Sequence, residues 1–112
     1  MEQRRNRRFK LHLPMSITRS GTERLALPAR TQNISSAGVL FTAERQPELE
    51  MPIEYVITLN HDGIQPVNLR CIGKVVRTEQ LPSGEPSRYQ VAATLERYEF
   101  VRDLDREEGP AS

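Results

Sequence analysis

Two short clusters in this sequence combine residue types that bind anions and planar heterocycles. The first is Arg4-Arg5-Asn6-Arg7-Arg8, with guanidinium groups four residues apart at Arg4 and Arg8. A guanidinium keeps its charge, forks onto phosphate oxygens and stacks on flat rings in a way that an ammonium does not. The second is Asn33-Ile34-Ser35-Ser36-Ala37-Gly38. Asn33 and Ser35 are two apart, so an extended backbone projects both to the same side. The amide offers a donor and an acceptor and the hydroxyl adapts to either, a pair suited to the edge of a base. Gly38, three residues after Ser35, permits a tight turn or a close backbone approach. Each cluster also has a plain reading, as a solvated basic tail and as a polar turn between strands. Arg102 and Arg106 repeat the four-residue spacing, as fourteen arginines will by chance.

Other chemistry is sparse. His12 and His61 are 49 positions apart, the first on the outward side of an alternating run and the second in a turn. Cys71 lies on an apolar face and reads as an inert buried thiol. No metal-ligand cluster, nucleophile elbow or phosphate-cradling glycine loop is present, so no acid, base and nucleophile converge on an enzyme reading. Asn33-Ile34-Ser35 is formally a glycosylation sequon, but nothing in the chain points to secretion.

The elements that must position these clusters follow a period of two. Leu11, Leu13, Met15 and Ile17 alternate with polar neighbours, as do Ile53, Tyr55, Ile57 and Leu59, and Tyr89, Val91, Ala93 and Leu95. Each run predicts a strand with one face inward. Further strands are expected over Leu25–Ile34, Gly38–Thr42 and Val67–Thr78. In the last, Cys71 gives way to Ile72, Val75 and Val76, which predicts a bulge or a strand buried on both faces. Ser20-Gly21, Asp62-Gly63 and Ser83-Gly84 fall between runs as hairpin connections. Six strands so spaced predict an all-β domain, a small antiparallel barrel closed on itself. Only the end changes period: Phe100, Val101 and Leu104 predict a short amphipathic helix over Arg97–Arg106, stopped near Gly109-Pro110. Residues 1–10 then form a flexible basic arm, 11–108 the barrel with its helix, and 109–112 a tail.

Composition sets the limits. The 112 residues suit one domain, and 27 of them are Leu, Ile, Val or Phe, enough for a modest core. Sixteen basic and fifteen acidic residues leave a net charge of +1, which excludes a uniformly polybasic nucleic-acid binder. The distribution is uneven, with a local +4 over residues 1–10 and −3 over 96–108. A single cysteine excludes an internal disulfide. No run approaches the length of a spanning helix and no signal peptide is evident, so the cytosol is the expected compartment and no membrane insertion is expected.

In order and spacing these features resemble the PilZ domain family of bacterial cyclic di-GMP receptors. That family carries an RxxxR pair and, some twenty to thirty residues later, an Asp/Asn-x-Ser-x-x-Gly motif. Arg4 and Arg8 match the first, and Asn33, Ser35 and Gly38 the second, with Asn where Asp is commoner. Leu13-Pro14-Met15 falls where members begin their first strand, and Leu69–Thr78 and Tyr89–Leu95 are similar to the later barrel strands. The resemblance spans almost the whole chain. It implies that the arginines grip phosphates and guanine faces while Asn33 and Ser35 hydrogen-bond guanine edges. Arg5 and Arg7 are auxiliary candidates that raise the local charge.

The function expected is therefore a non-catalytic receptor or adaptor with no cofactor. It binds cyclic di-GMP and couples the messenger to an unidentified downstream protein through ordering of the arm. Two alternatives stand beside it. One is a barrel of the same family that has lost its ligand and serves as a protein-interaction scaffold. The other binds single-stranded nucleic acid, a mode that relies on aromatic stacking platforms, whereas this chain has six aromatic residues and no tryptophan.

Overall fold

Alternating side chains give an architecture made only of strands. This computed structural model describes residues 9–59, 67–82 and 88–102, and every regular element among them is a β-strand. In chain order these are β1 (Phe9–Lys10), β2 (Pro14–Ser20), β3 (Glu23–Ile34), β4 (Gly38–Ala43), β5 (Pro52–Thr58), β6 (Val67–Gln80), β7 (Tyr89–Thr94) and β8 (Arg97–Arg102). All pairings are antiparallel. Neighbours run β3-β2-β5-β6-β7-β4, and β4 returns to β3, so six strands close the barrel expected from the sequence. β1 and β8 are additions to that ring. β1 lies along the side of β3 that β2 leaves at Arg30, and β8 lies along the first half of β6.

Inward-facing residues fill the ring. Ile17 on β2, Phe41 on β4, Tyr55 and Ile57 on β5, and Val75 and Val91 on β6 and β7 are all essentially inaccessible. Burying a side chain of this size contributes roughly 1.5–3 kcal/mol against the entropy of ordering the chain. The rings of Phe41 and Tyr55 meet at 6.2 Å in a tilted contact. The Tyr55 phenol is tolerated in the core because it donates to the Thr94 carbonyl at 3.0 Å.

The disturbed alternation in Val67–Thr78 is a bulge at Val76, where the register against β7 shifts between Val75 and Arg77. It leaves Val76 outside and exposed. β6 also changes partner on one edge, from β8 over Val67–Ile72 to β7 from Val75 onward. At the changeover a Cβ on Gly73 would lie 1.8 Å from the Thr94 carbonyl oxygen, so only glycine lets the strands cross there. Thr94 Oγ1 then accepts the Lys74 N–H at 2.9 Å.

The helix expected over Arg97–Arg106 is corrected by β8. Arg97–Arg102 form a strand against Val67–Ile72, and residues 103–106 lie outside the described residues. Phe100, Val101 and Leu104 do sit at helical spacing in the sequence, but Tyr98, Phe100 and Val101 are also strong strand formers. The decisive factor is tertiary: the first half of β6 offers an edge that a ladder satisfies and a helix does not. Tyr98 and Phe100 meet edge-on at 6.3 Å, and Arg70 pairs with Glu99 at 2.9 Å across the same ladder. No helix among the described residues is long and apolar enough to cross a membrane.

Two buried acids predict how the fold meets alkali. Burial pushes the Cys71 thiol from an ordinary 9.0 up to about 12, and burial also raises the Tyr55 phenol, helped by the nearby Cys71 and Glu96. Because the folded state holds both protons more tightly than the unfolded chain, the Cys71 contribution is complete below about pH 9 and is lost as pH rises through about 12, and the Tyr55 contribution is lost only at still higher pH. The melting temperature should fall steadily across that window in a calorimetric pH series, and C71A should flatten the fall. An unchanged slope in C71A would remove Cys71 from the account.

Candidate functional site

The Asn-x-Ser-x-x-Gly segment is the hairpin from β3 to β4. Inward positions on β3 run Leu25, Leu27, Ala29 and Thr31. On strict alternation Asn33 would follow them into the core. A register shift between Thr31 and Asn33 prevents this: Thr31 pairs with buried Phe41, whereas Asn33 pairs with Leu40, its outward neighbour. Cross-strand partners share a face, so the bulge places Asn33 half-buried on the outside of the barrel.

Ser35 stands just past the end of β3. Its Oγ accepts the N–H groups of Ala37 and Gly38, both at 3.2 Å, and its own N–H donates to the Gly38 carbonyl at 2.9 Å. The residue is 9% exposed, and its hydroxyl makes only a long donation, 3.4 Å, to the Gly38 oxygen. Serine at this position therefore builds the turn from within, where an apolar side chain would strand two backbone donors. Gly38 begins β4 against Thr94 of β7, and a Cβ there would sit 2.7 Å from the Ala93 carbonyl oxygen. The Leu95 N–H donates to the Ala37 carbonyl at 2.9 Å and ties the turn to the end of β7.

The arginines Arg4, Arg5, Arg7 and Arg8 lie outside the described residues. What the structure does place is the chain that leads to them. Phe9 pairs with Ile34 and Lys10 with Asn33, so β1 runs directly alongside the motif strand.

The family model of the PilZ domain matches residues 2–108, nearly the full length of the chain. The chain belongs to the PilZ domain family. That family is a cyclic di-GMP-binding one. The chain is significantly similar to no curated protein and to no solved structure.

Within this PilZ domain the sequence reading missed two neighbours of the motif. Lys10, exposed and opposite Asn33, adds a cation beside the motif strand. Its membership of the basic run 4–10 was the available signal. Thr31 is fully buried, and its Oγ1 accepts the Leu13 N–H at 2.8 Å and donates to the Leu11 carbonyl. Nothing in the sequence marked it, because a threonine among Arg30, Gln32 and Asn33 looks like one more polar strand residue. Elsewhere His12 is exposed and Cys71 is buried with its thiol held protonated. Among the described residues no three His, Cys, Asp or Glu side chains are grouped to hold a metal ion.

Each of the two turn residues can be tested by its own mutation. S35A frees two turn donors and should destabilise the barrel by about 1–3 kcal/mol in urea melts. G38A drives a methyl against β7 backbone and should cost a similar amount, about 1–3 kcal/mol. Wild-type stability in G38A would mean that β4 and β7 can separate without loss.

Proposed function

We propose that this PilZ domain is a cyclic di-GMP receptor. In it, Arg4 and Arg8 close over a ligand seated on Asn33 and the Ser35–Gly38 turn. The observation that carries the reading is the β1–β3 pairing. Arg8 is bonded to Phe9, which is paired with Ile34, so the arm departs from beside the motif rather than from the far side of the barrel. Arg4 is four residues further, a reach of at most about 14 Å.

The ligand has two phosphates and two guanines. Guanidinium groups take the phosphate oxygens in forked pairs or lie on guanine faces. Asn33, turned outward by its bulge, offers a donor and a carbonyl acceptor to a guanine edge. The Ser35 hydroxyl proton, held only by a long contact, is free to be redirected to the ligand while the oxygen keeps its two turn donors. Lys10, Arg5 and Arg7 add positive potential that speeds encounter with a dianion and fades with salt. Ordering of the arm is then the signal, presenting an altered surface to a partner protein.

Calorimetric titration with cyclic di-GMP, with GTP and linear di-GMP as controls, tests the reading. R4A and R8A should each lose about 1.5–3 kcal/mol of binding, the worth of a charge-assisted contact. R102A, which breaks the other four-residue arginine pair, should bind as wild type. Equal losses in all three variants would dismiss the arm as the site. N33D, which supplies a second acceptor oxygen for the guanine edge, should tighten binding severalfold.

A further inference from the structure

We infer that Thr31 is a positioning residue for the ligand site, acting through the root of the arginine arm; the inference rests on the receptor reading above. Leu11–Leu13, between β1 and β2, belongs to no strand, so its backbone groups have no regular ladder. One side chain from β3 supplies partners at both ends. Thr31 Oγ1 accepts from the Leu13 N–H at 2.8 Å and donates to the Leu11 carbonyl, and the Thr31 N–H donates to the Leu13 carbonyl at 3.0 Å.

The burial of this hydroxyl is the reason to assign it a task. Its companions on the inward face of β3, Leu25, Leu27 and Ala29, are apolar, and a hydroxyl in a core is retained only where its hydrogen bonds are needed. Among the described residues β1 pairs with β3 at two positions, Phe9 with Ile34 and Lys10 with Asn33. The Thr31 clamp adds three hydrogen bonds between the residues that follow β1 and the strand that carries Asn33. It also sits at the bulge that turns Asn33 outward, so one residue fixes both the exit of the arginines and the strand they must meet. Thr31 touches no ligand. Releasing it lets Leu11–Leu13 wander, and the ordering of Arg4 and Arg8 then has to be achieved from a larger set of starting positions.

T31V keeps the shape and deletes both side-chain hydrogen bonds, whereas T31S keeps them. By calorimetry in the full chain, T31V should weaken cyclic di-GMP binding about tenfold and T31S by less than about twofold. Because Thr31 acts through the arm, T31V on an R8A background should add less than about twofold. Hydrogen exchange over residues 9–13 should accelerate in T31V while β5 and β6 keep their protection; loss of that protection as well gives Thr31 a general core role and overturns the inference. Binding by T31V at the wild-type level, or full additivity with R8A, overturns the inference. A wild-type chain that binds no cyclic di-GMP sinks the receptor reading instead. The exchange comparison needs no ligand and then decides alone, with unchanged exchange over residues 9–13 overturning the anchoring.

Discussion

The register shift between Thr31 and Asn33 is the constraint on which the rest of this domain turns. β3 must line the core as far as Thr31 and then offer a polar side chain to solvent, yet strict alternation allows it only one of the two. Two residues of β3 against one of β4 resolve the conflict. The same β3–β4 pairing closes the barrel, so the device that exposes Asn33 cannot slip without opening the ring.

Rigidity around that point comes from the far side of the hairpin. Thr94 at the end of β7 receives the Tyr55 hydroxyl and the Lys74 N–H, donates to Glu96, and stands where Gly73 lacks a side chain. Its neighbours Ala93 and Leu95 press on Gly38 and hold Ala37. The turn that carries the motif is thus packed against the residues that also manage the crossing of β6 from β8 to β7. Glycine at position 73 and glycine at position 38 serve one purpose: each lets a strand approach the β7 backbone closely enough to hold it.

Much of this was legible in the chain. Three alternating runs and three further strand-like segments correspond to the six barrel strands, and adjacent Val75 and Val76 betray the β6 bulge because two apolar residues in sequence break a period of two. The β3 bulge was silent for the opposite reason: Thr31, Gln32 and Asn33 are all polar, so an extra residue breaks no pattern. Leu11 and Leu13 continue the alternation of Met15 and Ile17, yet they precede β2, and Leu11 is 42% exposed. Their backbone is held by one buried hydroxyl from β3, a long-range partner that local periodicity does not register. β8 was misread because six residues of mixed charge and aromatics satisfy a helical spacing and a strand alternation equally well. The free edge of β6 chose between them. The motif residues Asn33, Ser35 and Gly38 were legible as a cluster, but not the division of labour within it.

That division decides where the free energy of binding goes. Among the described residues no buried side-chain polar atom lacks a partner, and Ser35 satisfies two backbone donors before any ligand arrives. The turn is complete in advance, so in the proposed receptor little has to be reorganised on the barrel. In that proposal the ordering entropy falls on the segment that carries Arg4 and Arg8. A site built wholly from the barrel would hold the messenger without changing shape. A site built wholly from the segment would have no fixed surface against which to order. β1 runs beside Asn33, and in the proposed receptor the surface next to the motif strand is the one that changes between the empty and occupied states. In that proposed receptor a partner protein reads the messenger at this surface, because the completed turn on the barrel leaves little else to change.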